Sequence, residues 1–153
     1  MQPSEGLITR FYTAFNTKDA ETMAACYADD ATFADPAFGE LTATETRAMW
    51  QMLLSRAADL RAEFRDIQAD DTHGSAHWDA YYAFGGHPVH NSIDATYSFR
   101  DGLILTHVDV FDWPRWAGQA LGWPGKLLGR TSLLRNRARA TARAQLDAYL
   151  RTH

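Results

Sequence analysis

The stretch YADDATFADP, residues 27–36, decides how the fold is read. Within it, Ala31 to Asp35 form a short extended run. Residues two apart in a strand share a face, so Ala31, Phe33 and Asp35 point the same way. Pro36 biases Asp35 itself toward extended geometry. A carboxylate beside an aromatic has two readings. It is either a rim residue bonding loop amides, or a group aimed into an apolar interior. In the second case lost hydration raises its pKa above the ordinary value of about 3.9, which suits a general base. Spacing alone leaves both open.

Outward from this strand the pattern is helical on the N-terminal side. Leu7, Ile8, Phe11 and Phe15 recur at helical spacing, and Ser4 is placed to cap that helix. A second short helix is expected over 19–27 with Asp19 as its cap. Residues 28–30 read as a turn and 36–40 as loop. Residues 42–58 have helical periodicity through Ala48, Met49, Met52 and Leu53. From residue 60 the period changes to two. Residues 60–68, then three further runs ending at Phe84, Phe99 and Asp112, are joined by turn-rich connections, which predicts an antiparallel meander. Helices followed by strands give an α+β fold. Beyond Asp112 a Trp-, Pro- and Gly-rich segment leads into one long helix over 131–150. Its stripe is Leu134, Ala138, Ala142, Leu146 and Leu150, bordered by Arg135, Arg139 and Arg143.

The chain of 153 residues, 46% hydrophobic and 12% aromatic, is expected to build one core with apolar surface left for a pocket. No run approaches the ~18 apolar residues of a membrane span. The N-terminus lacks an apolar signal core, and a lone Cys26 fits a reducing compartment, so a cytoplasmic location is expected. Residues 1–112 carry 7 Lys/Arg and 18 Asp/Glu, while 113–153 carry 8 and 1. The acidic body argues against nucleic acid as a partner. The basic tail is expected to pack on that body or on a dimer mate; contact with an anionic membrane surface is the less favoured alternative.

Polar residues on the strands give the candidate chemistry. His107, Asp109 and Phe111 share one face of the last strand, and Val108 and Val110 share the other. Parity cannot say which face is buried. An inward His–Asp pair can relay a proton, with the acid holding the tautomer. On the preceding strand Asn91, Ile93, Ala95, Tyr97 and Phe99 form the more apolar face, with Asn91 its one polar member. It is a ligand contact or a structural hydrogen bonder. Trp78, Ala80, Tyr82 and Phe84 form the apolar face before that. The pairs His73/His77 and His87/His90 border turns, without a ligand set at metal-site spacing, so neither metal nor cofactor is expected. Nucleotide-loop and nucleophile-elbow motifs are absent.

The run Tyr27–Pro36, and Gly102-Leu-Ile before His107-Val-Asp109, resemble the nuclear transport factor 2-like superfamily, closest to its ketosteroid isomerase and SnoaL-like polyketide cyclase branches. The resemblance covers residues 4–112 and implies one such domain over 1–112, followed by a helical extension over 113–153. It implies a cone-shaped α+β fold, a strongly curved, mostly antiparallel sheet around a deep apolar pocket, usually in a homodimer. It further implies Asp35 as a base moving a proton alpha to a carbonyl, with His107 and Asp109 facing the pocket as a proton-handling pair. The position of the isomerases' oxyanion tyrosine falls on Phe11, which has no hydroxyl. Asn91 and the aromatics Phe11, Phe33, Trp50, Trp78, Tyr82 and Tyr97 would line a site for a small apolar carbonyl compound. Two other expectations share this frame: a non-catalytic binder of apolar ligands, and a dimeric interaction module.

Overall fold

The structure is a computed structural model that describes residues 3–57 and 59–153. Helix α1 (Pro3–Asn16) buries Leu7, Ile8, Phe11, Tyr12 and Phe15, the face its spacing predicts. The helix starts at Pro3, where the missing N–H costs nothing, so Ser4 lies within the first turn and is not its cap. Asp19 does cap α2 (Ala20–Ala25), accepting from Thr22 N at 3.1 Å. This helix ends earlier than expected because the chain is already extended at β1 (Tyr27–Asp35). Residues 28–30 are therefore strand, not turn.

The expected loop after Asp35 also needs correction. Pro36 to Phe38 turn the chain, and β2 (Gly39–Thr42) folds back antiparallel on β1 with Asp35 opposite Gly39. Gly39 adopts φ +72°, a conformation side chains resist, and the space its Cβ would crowd holds the Arg139 side chain. Thr42 and Glu45 then form a reciprocal capping box that starts α3 (Ala43–Arg56). The helix was expected to reach Ala58, which lies outside the described residues.

The four remaining strands are β3 (Arg61–Ala69), β4 (His73–Phe84), β5 (His87–Arg100) and β6 (Leu103–Val110). They form the predicted meander. The sheet order is β2-β1-β6-β5-β4-β3, and β1 joins β6 in parallel. Local periodicity does not show that non-local pairing, yet it decides the site by setting Phe33 opposite His107. The curved sheet wraps its concave face around α1 and α3 in an α+β cone, and the core fills the space between them.

After β6 come α4 (Trp113–Ala120), α5 (Trp123–Leu128) and α6 (Ser132–Thr152). The amide of Gln119 clamps α4 to β5: it accepts from His90 N at 2.8 Å and donates to His90 O at 3.1 Å. The residues of β5 on this stretch are left unpaired on that side because β6 has ended, its last partner being Asp94. Helix α6 lies on α3 and buries Leu146 completely. Arg139 donates to Pro36 O at 3.1 Å, and Arg143 pairs with Glu45 at 2.9 Å. The tail thus packs on the acidic body of its own chain. Among the described residues no helix is long and apolar enough to cross a membrane.

Candidate active site

A cavity of about 510 Å³ opens between the concave face of the sheet, α3 and the C-terminal helices. Its walls are mostly apolar, with Met49, Trp50, Trp78, Phe111 and Leu134 prominent. Four polar residues enter it from the sheet: Asp35, Tyr82, Asn91 and Asp109. Helix α6 contributes Ala138, Thr141 and Ala142 to the outer wall. A wider groove of about 580 Å³ lies outside, along α4 and α5 against His87, Arg115 and Lys126. It shares none of these four groups.

Strand alternation delivers the carboxylates. On β6, His107 and Asp109 are buried, at 0% and 3% exposure, whereas Val108 and Val110 are 39% and 59% exposed. The polar face is the inward one. On β1, Phe33 lies opposite His107 and Ala34 opposite Val108, so one further step of the parallel register sets Asp35 beside Asp109. Asp35 keeps part of its surface open to the cavity while protein atoms crowd its other sides. That burial is the main reason its pKa rises from 3.8 to about 7. Backbone N–H groups of Phe38, at 2.6 Å, and Ala37 oppose the rise. The Asp109 charge adds to it and the Arg139 guanidinium reduces it.

Behind Asp109 runs a buried chain of hydrogen bonds. Trp50 Nε1–H donates to Tyr27 Oη at 3.0 Å, and Tyr27 Oη lies 2.8 Å from His107 Nδ1. His107 Nε2 lies 2.8 Å from Asp109 Oδ1, which also takes a long, 3.5 Å bond from Trp78 Nε1. One tautomer of His107 satisfies every partner. An Asp109 carboxylate needs a donor at Nε2, so Nε2 carries the proton and Nδ1 accepts from the Tyr27 hydroxyl. His107 therefore orients Asp109 from below and does not reach the cavity. Burial holds the Tyr27 phenol well above its ordinary pKa, which keeps it a donor.

Six of the residues singled out from sequence line the cavity: Asp35, Trp50, Trp78, Tyr82, Asn91 and Asp109. The other four do not. His107 sits beneath the floor, and Phe11, Phe33 and Tyr97 pack around its ring, with centroids 5.7, 5.0 and 4.5 Å away. These three aromatics insulate the imidazole and do not form a ligand wall. The neighbouring Tyr12 cannot replace the hydroxyl missing at Phe11, because its own hydroxyl is buried against that of Tyr97. Sequence reasoning missed Tyr27, Trp116 and Arg139. Tyr27 lies before an irregularity that breaks the β1 alternation, and it was hidden by reading 28–30 as a turn. The other two belong to the tail, where no periodicity points to a site. His77 and His90 face outward and bond to Asp94, Ser92 and Asp79.

The profile of the SnoaL-like domain matches residues 8–107. The chain belongs to the SnoaL-like family. Among solved structures with this SnoaL-like architecture, it is similar to an LEH-like epoxide hydrolase from M. tuberculosis, with 18% identity and a TM-score of 0.68 over 82% of this chain and 93% of that one. It is also similar to IdmH, a proposed polyketide cyclase from Streptomyces antibioticus, with 23% identity and a TM-score of 0.65 over 78% and 98%. A protein of ketosteroid isomerase-like fold from Catenulispora acidiphila, in complex with trimethylamine, matches at 14% identity with a TM-score of 0.68 over 78% and 95%. At these identities the likeness shows the fold. No curated protein matches the sequence. The SnoaL-like match ends at residue 107, so Asp109, Trp113, Trp116 and the α6 wall lie beyond it.

Proposed function

We propose that this protein is a small isomerase- or cyclase-type enzyme that moves a proton on an apolar carbonyl compound held in the cavity. The observation that carries the reading is Asp35, a carboxylate opening into an apolar cavity with its pKa raised to about 7. At that value about half of it is ionised at neutral pH, and the ionised form is basic enough to take a proton alpha to a carbonyl. The C–H bond breaks, Asp35 gains the proton, and the electron pair passes to the carbonyl oxygen as an enolate. Asp35 then returns the proton to another carbon in an isomerisation. In a cyclisation the enolate carbon attacks a second carbonyl, and Asp35 protonates the new alkoxide. Asp109, oriented by His107, helps to keep the Asp35 proton acceptor basic by its negative charge.

Exchange of alpha protons in D₂O tests this without knowledge of the natural substrate. A panel of small apolar ketones incubated with the protein should lose NMR signal at the alpha position, faster as pH rises through about 7. Asp35→Asn should abolish the exchange while leaving the fold intact; full exchange in that variant removes Asp35 from the mechanism. A second reading, a non-catalytic binder, is favoured by one observation: the hydroxyl expected near Phe11 is absent and that of Tyr12 is consumed by Tyr97. It predicts ketone binding without exchange, at an affinity flat across the range in which Asp35 titrates.

A further inference from the structure

An enolate in this cavity needs donors for its oxygen, and Phe11, packed against His107 outside the lining, supplies none. Two groups on the opposite strands have uncommitted hydrogens. Tyr82 Oη accepts from Trp116 Nε1–H at 2.6 Å, and its own proton meets no acceptor among the described residues. The side-chain amide of Asn91 lines the cavity from a residue that is 7% exposed, and it too is without a partner among the described residues. The amide opens to the cavity, where a ligand can reach it.

The register places the two groups together. Asn91 pairs with Ala80 across β4 and β5, and Tyr82 pairs with Val89. Tyr82 and Asn91 are therefore diagonal neighbours on one face, within about 7–8 Å at the backbone, and both line the cavity. Asp35 is near enough to this pair that its charge acts on the Tyr82 hydroxyl. Burial raises the Tyr82 pKa, so the group stays protonated and able to donate at neutral pH. The Trp116 bond polarises that hydroxyl in the opposite sense, toward stronger donation. Trp116 is held in place from two sides. Asp112 caps α4 by accepting from Arg115 N at 3.1 Å, and Gln119 clamps the helix to His90. Its ring also stacks on Trp113 at 4.9 Å.

We propose that Tyr82 and Asn91 form an oxygen-binding subsite for a ketone or enolate, with Trp116 of the C-terminal extension as the positioning residue for Tyr82. This rests on the reading of the cavity as a carbonyl site and adds where the oxygen sits. It also makes the extension part of the site, since Trp116 lies beyond the matched SnoaL-like segment.

The test uses 2-acetylnaphthalene labelled with ¹³C at the carbonyl, an apolar ketone that can accept but not donate a hydrogen bond. Its bound C=O infrared band is recorded with the full-length protein, alongside its dissociation constant. In the wild type the band should move to lower frequency than in an apolar solvent. Tyr82→Phe and Asn91→Leu should each remove part of that shift and weaken binding about fivefold, the worth of one net hydrogen bond. Trp116→Phe should give a smaller loss of shift through Tyr82, which a purely structural role would not move. Asp35→Asn should leave the band shifted. A shifted band without alpha-proton exchange therefore retains the subsite and rejects the catalytic reading. An unshifted band, a band unchanged in the Tyr82→Phe, Asn91→Leu double variant, or no saturable binding overturns the subsite.

Discussion

Asp35 titrates at about 7 in the folded chain against 3.8 for an unperturbed aspartate, so the folded state holds its proton more tightly. The associated stability is fully present below the unfolded value and is lost as pH rises through about 7. Asp35→Asn, a neutral mimic, should therefore stabilise the protein at pH 8 by up to about 4 kcal/mol and have little effect near pH 4. Thermal melts at the two pH values check this; an equal effect at both contradicts the raised pKa. His107 makes the opposite kind of contribution. Replacing it with Leu strands the Tyr27 hydroxyl and the Asp109 carboxylate, both buried, and should cost about 3–5 kcal/mol in urea unfolding. Both residues stood out in the sequence, but His107 was expected to face the pocket and instead lies beneath its floor. The His107 and valine faces of the last strand have equal claims by parity; the resemblance favoured the His107 face, and that face is the buried one against the parallel partner β1.

At the scale of elements, the α1 face, the α3 stripe and the β3–β6 meander were legible because period and burial coincide over many residues. β2 was not. Four residues beginning at a positive-φ glycine carry too little alternation to register, and their pairing with β1 depends on the turn at Pro36. The C-terminal helix was legible as a helix, and charge asymmetry pointed it to the acidic body or a dimer mate but gave no place on either. The structure gives that place through Leu146, which is fully buried on the inner face of α6. Leu146→Ala should cost about 2–5 kcal/mol and loosen the extension first. Hydrogen exchange should show α6 losing protection before the sheet does. A silent substitution would mean that α6 contributes no packing energy.

The whole molecule joins an acidic domain and a basic extension into one cavity. Arg139 connects the two directly, bonding Pro36 O while its charge stabilises ionised Asp35 one residue earlier. Arg139→Met should raise the Asp35 pKa further, because the positive charge that favours the carboxylate is gone. The tail thus tunes the Asp35 carboxyl, walls the cavity through α6 and bonds Tyr82 through Trp116. The central claim is that this assembly sets a carboxylate near neutrality inside an apolar cavity. The direct measurement is a ¹³C NMR titration of the aspartate side-chain carboxyls, with the Asp35 signal assigned by its loss in Asp35→Asn. A midpoint near 7 that moves upward in Arg139→Met is expected. A midpoint near 4, unmoved by Arg139, would contradict it.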